Sequence, residues 1–148
     1  MKRFLAMCAA CLMAISCMAP AFAYDSEVSP QENMGTTELL SVTTARDGGV
    51  VYTYSYTLYP GDEWINLGEI KNVLKGTRFK INTTWGPVTT AISLRFVAYS
   101  DGTWSLSGYR NGNAEDTFGA WITDTYAVQI RNDSGEIIKG TLNVTVGA

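Results

Sequence analysis

The chain has 148 residues, 46% of them apolar and 17% charged, with a net charge of −3 and no histidine. That is the length of one domain with enough apolar side chains for a two-layer core, which excludes a disordered chain. It also excludes a Ser-His-Asp triad and an imidazole zinc site, and the acidic balance argues against nucleic acid and anionic membranes as partners.

Lys2 and Arg3 precede an apolar run from Phe4 to Met18, then Pro20 and Ala21-Phe22-Ala23. A basic start, a short apolar stretch and small residues at a cleavage position read as a secretory signal, residues 1–23, cut after Ala23. A membrane anchor would need a longer span of about 20 apolar residues. Acylation at Cys17 is the alternative, on the loose lipoprotein box Ala14-Ile15-Ser16-Cys17. Cleavage after Ala23 removes all three cysteines (Cys8, Cys11, Cys17), so no disulfide is expected. It also removes two of the 11 basic residues against 14 acidic ones, taking the net charge from −3 to −5. The expected location is secreted, with no transmembrane segment after cleavage.

Residues 24–38 hold four acids and no base, and read as a flexible acidic tail before a domain spanning 39–148. Leu40, Val42 and Thr44 alternate with Ser41, Thr43 and Ala45. After the turn Arg46-Asp47-Gly48-Gly49, Val50, Tyr52, Tyr54, Tyr56 and Leu58 share one parity, which predicts a hairpin with those tyrosines as packing residues. Tyr59-Pro60-Gly61-Asp62 reads as a type II turn. Trp64 to Gly68 predicts a short strand with Ile65 and Leu67 inward. Ile70, Val73 and Leu74 at helical spacing leave Glu69–Lys75 open between a helical turn and a loop.

Phe79, Ile81, Thr83 and Trp85 predict the next inward face, and Ile92, Leu94, Phe96 and Ala98 the one after it. Trp104 and Leu106 open a return strand beyond the Ser100–Thr103 turn. Arg110–Asp116 reads as a long polar loop, and Phe118, Ala120 and Ile122 as a short strand. Tyr126, Val128 and Ile130, then Ile138, Leu142, Val144 and Val146, flank Asn132-Asp133-Ser134-Gly135 and predict a C-terminal hairpin. The sum is an all-β chain: an antiparallel β-sandwich of Greek-key or jelly-roll type, with about eight strands and little helix.

With neither His nor Cys after residue 23, the catalytic option is a carboxylate pair, as in glycoside hydrolysis, drawn from Asp62, Glu63, Glu115, Asp116 and Asp124. Each has a plainer role in a turn or solvated loop, and no catalytic residue, cofactor or metal is expected. Asn111, Asn113, Glu115 and Asp116 are the densest oxygen cluster and the one weak calcium candidate. Tyr59, Trp64, Tyr99, Tyr109 and Trp121 run out of phase with the apolar face of their own strands. Out-of-phase aromatics suit a stacking platform for a glycan or an anchor for a surface protein.

The signal segment together with Tyr126-x-Val-x-Ile-x-Asn-x-Ser and Gly140-x-Leu-x-Val resembles small secreted β-sandwich proteins of Gram-positive bacteria. The resemblance covers the last third of the chain and implies no activity. The expected function is a non-catalytic extracellular binding or structural module. The alternatives are a carboxylate-dependent glycoside hydrolase and a secreted inhibitor or toxin-like protein.

Overall fold

Side-chain alternation with a period of two runs through nearly the whole domain, and the backbone follows it. The computed structural model describes residues 35–61 and 63–147, and among these it contains nine β-strands and no helix. In chain order they are β1 (Thr36–Thr44), β2 (Val50–Leu58), β3 (Ile65–Val73), β4 (Arg78–Gly86), β5 (Ala91–Ala98), β6 (Trp104–Arg110), β7 (Asn113–Gly119), β8 (Asp124–Asn132) and β9 (Ile138–Val146). The expected signal, Cys17, most of the acidic tail and Asp62 lie outside the described residues. β1 starts at Thr36, three residues inside the stretch read as tail.

The strands form two antiparallel sheets, one ordered β1-β2-β9-β4-β7 and the other β3-β8-β5-β6. Among the consecutive strands, β1–β2 and β5–β6 pair with each other; every other connection carries the chain from one sheet to the opposite one. From β2 onward this is the jelly-roll order, two four-stranded layers with β1 added at one edge.

That order corrects the C-terminal hairpin. β8 lies between β3 and β5, whereas β9 lies between β2 and β4 in the other sheet. The period of two shows that a strand has one buried face, and either sheet can supply that face. The crossing is built on Asn132, which is 4% exposed. Its Nδ2 donates to the Glu136 carbonyl at 2.7 Å and to the Leu58 carbonyl at 3.3 Å. Its Oδ1 accepts from the Ser134 amide at 2.8 Å and from Ser134 Oγ at 2.7 Å. A buried amide with its hydrogen-bonding capacity used in this way fixes an arch, not a two-strand turn.

Three further readings change. Glu69–Lys75 is neither helix nor loop: β3 runs through it to Val73 with a bulge, since Ile70 faces Tyr126 and Val73 faces Asp124. The extra residue, with Asn72 at φ 56, lets two inward residues stand three apart, which imitates helical spacing. The expected Arg110–Asp116 loop is a two-residue turn at Asn111 and Gly112, both left-handed (φ 71 and 77), leading into β7. Its inward positions Ala114 and Asp116 are small or polar, so the alternation is hidden. On β6 the phase is reversed: Ser105, Ser107 and Tyr109 face inward, while Trp104 and Leu106 are 55% and 44% exposed.

In β4 and β5 the predicted faces stand. Phe79, Ile81, Thr83 and Trp85 are buried, as are Ile92, Leu94, Phe96 and Ala98. Rings from both sheets meet at the centre: Phe79 stacks on Phe96 at 4.6 Å, with Tyr126 at 5.2 Å from Phe79 and Phe118 at 4.9 Å from Phe96. Tyr54 and Tyr56 are core residues, as expected, and burial pushes both phenols up to about 12.

Candidate functional site: the outer face of the four-stranded sheet

In β3, β8 and β5 one parity is committed to the core, so the other must face outward, and strand register places these outward residues in rows. One row reads Glu69, Ala127, Val97, Trp104. The next reads Asn66, Gln129, Arg95, Leu106. A third holds Arg131, Ser93 and Gly108, with Trp64 beside it at the start of β3. Rows two residues apart are separated by about 7 Å.

At the centre of the face two guanidinium groups lie against one indole. Arg95 Cζ lies 4.1 Å and Arg131 Cζ 4.9 Å from the centroid of the Trp64 ring, within cation–π range. Each arginine is held by its inner edge. Arg95 Nε donates to Gln129 Oε1 at 2.7 Å, and Arg131 Nε to Asp133 Oδ1 at 2.7 Å. Asp133 is itself fixed by a short hydrogen bond from Ser93 Oγ. Burial, and then the neighbouring Arg131, hold Arg95 below the usual guanidinium value. Among the described residues, the terminal nitrogens of both arginines have no hydrogen-bond partner.

The other end of the face is apolar. Trp104, Leu106 and Tyr99 are 55%, 44% and 52% exposed. Tyr99 Oη donates to Glu69 Oε1 at 2.7 Å, which holds the ring across β8 and raises the phenol above its ordinary value. Ala127, between Glu69 and Val97 in its row, is 3% exposed beneath these side chains.

Of the five aromatics singled out from sequence, Trp64 and Tyr99 lie on this face. Tyr59 is half-buried in the β2–β3 connection. Tyr109 points inward against the core and donates to Asp116 Oδ2 at 2.8 Å; burial first, then this bond, raise its phenol above normal. Trp121 also packs on the core, edge-on to Tyr126 at 5.0 Å, with Nε1 donating to Thr103 Oγ1 at 2.6 Å. Neither is grouped with Trp64 and Tyr99. Trp104, Arg95, Gln129 and Arg131 were missed. The last three occupy the polar parity of strands whose other parity carries Ile92, Leu94, Phe96 and Ala98 or Tyr126, Val128 and Ile130, so their outward direction was legible. Their adjacency was not, because it depends on sheet order.

The carboxylate and calcium candidates disperse. Asn113 and Glu115 pair with Thr84 and Asn82 on the outer side of the five-stranded sheet, and Asn82 Nδ2 donates to Glu115 Oε1 at 2.7 Å. Asp116 pairs with the inward Ile81 and bonds Tyr109, so strand alternation sends neighbouring carboxylates to opposite faces. Asn111 stands in the turn. Glu63 is exposed. Asp124 accepts the Ser100 amide at 2.7 Å, tying two connections together. Among the described residues no three Asp, Glu, His or Cys side chains converge on a point that could hold a metal ion.

No family model matches the chain, and no curated protein matches it. Solved structures of similar shape include the CENP-C cupin domain of Drosophila melanogaster (11% identity, 73% of this chain and 75% of that one, TM-score 0.33). A de novo designed double-stranded β-helix is 22% identical over 62% of this chain and 96% of that one, with a TM-score of 0.35. The carbohydrate-binding module TmCBM61, solved with β-1,4-galactotriose, is 8% identical over 76% of this chain and 84% of that one, with a TM-score of 0.37. At these values none of them assigns a function, and the face is read from its own geometry.

Proposed function

We propose that the protein is a non-catalytic binding module, acting outside the cell, that presents the outer face of β3-β8-β5-β6 to its ligand. One observation carries the reading: β6 turns its large apolar side chains, Trp104 and Leu106, to solvent and its serines to the core. Exposing rings in a contiguous group beside Tyr99 and Val97 stabilises nothing in the isolated domain, and such patches mark contact surfaces. Flat rings bordered by amide, carboxylate and guanidinium groups suit a polar ligand with an apolar face, and a glycan has both.

The test is retention of the purified protein on immobilised polysaccharides, neutral and acidic, and on isolated cell walls, with Trp104→Ala and Tyr99→Ala compared with wild type. The expected result is retention on at least one matrix, lost in both variants at unchanged melting temperature. Retention that is indifferent to both substitutions would contradict the proposal.

A further inference from the structure

We propose that the cationic end of this face is a subsite for the carboxylate groups of an acidic polysaccharide, held end-on by Arg95 and Arg131 while an adjoining sugar ring lies against Trp104. This rests on the reading above that the face binds a ligand, and it names the ligand's chemistry. The two guanidiniums converge on one indole, at 4.1 and 4.9 Å from its centroid. Their Nε edges are occupied by Gln129 and Asp133, and among the described residues their terminal nitrogens have no hydrogen-bond partner. A fork fixed along one edge retains the paired N–H geometry that matches a carboxylate.

The electrostatics favour an anion here although the protein is acidic as a whole, at −3. Burial first, and then Arg131, disfavour the charged form of Arg95, and among the described residues Asp133 is ion-paired with Arg131 only. A ligand carboxylate at Arg95 supplies the counter-charge that Arg95 lacks among the described residues. A nucleic acid would need a basic track along its backbone, whereas here two guanidiniums stand against a net negative surface. Trp104 lies diagonally from Arg95 across the β5–β6 ladder, since Arg95 faces Leu106 and Val97 faces Trp104. Diagonal neighbours are about 7–8 Å apart, a spacing that lets one sugar ring lie against Trp104 while the carboxylate of the adjoining unit reaches the arginines.

Calorimetric titration of the purified protein with polygalacturonate, uncharged galactan and polyglutamate separates the possibilities. Polygalacturonate is expected to bind, more weakly as salt is raised. Arg95→Gln and Arg131→Gln should each weaken it roughly 10- to 100-fold, the loss of a charge-assisted hydrogen bond. Arg95→Lys, which keeps charge without the fork, should still lose most of that affinity. Trp104→Ala should weaken binding too, while Arg46→Gln in the β1–β2 turn should change nothing. Melting temperatures of all variants establish that they are folded. If galactan binds as tightly as polygalacturonate and the arginine variants are silent while Trp104→Ala is not, the carboxylate subsite is wrong and the binding face survives. If polyglutamate binds equally well through the same arginines, the saccharide assignment is wrong. If none of the three binds, the inference is overturned, and if Trp104→Ala leaves every measured interaction intact, the binding face falls as well.

Discussion

Two surface carboxylates, Asp101 exposed and Asp124 half-buried, show how single residues hold this protein's connections. Asp101 accepts from Thr103 Oγ1 at 2.6 Å and from the Thr103 amide at 2.9 Å; Asp124 accepts the Ser100 amide at 2.7 Å. These bonds, from the Thr103 side chain first for Asp101 and from the Ser100 amide first for Asp124, hold both carboxyls below the ordinary carboxylate value. A depressed folded value means that their contribution is complete above about pH 4, the unfolded value, and is lost as pH falls through the lower folded one. Protection of the Ser100 and Thr103 amides, relative to their intrinsic exchange at each pH, is therefore expected to fall on acidification below about pH 4, with the step at Ser100 abolished in Asp124→Asn; acid-insensitive protection would contradict it. In the other sheet, a Cβ at Gly140 would collide with the Thr84 carbonyl and lie 2.5 Å from Tyr56 Oη. Gly140→Ala is expected to cost about 1–3 kcal/mol by overpacking. Gly119→Ala, where a Cβ meets nothing within 4 Å, should stay within about 0.5 kcal/mol. Urea denaturation of the two variants checks the difference.

At the scale of one strand, β6 is an element whose composition and orientation disagree. Its apolar parity faces water, and its inward positions are Ser105, Ser107 and Tyr109. It can do this as an edge strand, paired on one side with β5, with its inner side meeting the edge of the other sheet through Tyr109 and Asp116 of β7. If the exposed rings serve a ligand and not the fold, removing them should leave stability intact. Trp104→Ala is expected to change unfolding free energy by no more than about 0.5 kcal/mol. Phe79→Ala, at the centre of the ring cluster, should cost about 3–5 kcal/mol. A Trp104 variant as unstable as the Phe79 one would mean that the ring packs a core surface. β3 shows the opposite error: a bulge at Lys71 and Asn72 brings Ile70 and Val73 to one face and so counterfeits the spacing of a helix.

For the molecule as a whole, the layers were legible and the wiring was not. Phe79 to Trp85 and Ile92 to Ala98 name their buried faces outright, because each sheet has one face in the core and period-two burial follows directly. Which strands touch is a different matter. In a jelly roll most consecutive strands lie in opposite sheets, so the run from Tyr126 to Val146 looks like a hairpin and is a crossing, held by a buried amide at Asn132 that no periodicity reveals. The candidate site shared that fate. Trp64 and Tyr99 were visible as off-phase aromatics, but Arg95 and Arg131 became a pair only when β5 and β8 proved to be neighbours beside the start of β3. Trp104 was hidden by the assumption that an apolar parity faces in.

The central claim, that the outer face of β3-β8-β5-β6 is the contact surface, is tested most directly by amide shift mapping of the labelled protein as polygalacturonate is added. The account predicts that shifts and line broadening concentrate on β5, β6 and β8 around Arg95, Trp104 and Arg131, and on the Trp64 indole, with β1, β2 and β9 unmoved. Perturbations centred instead on the five-stranded sheet, around its shallow threonine-lined depression of about 520 Å³ between Thr36, Ser55 and Lys139, would contradict it.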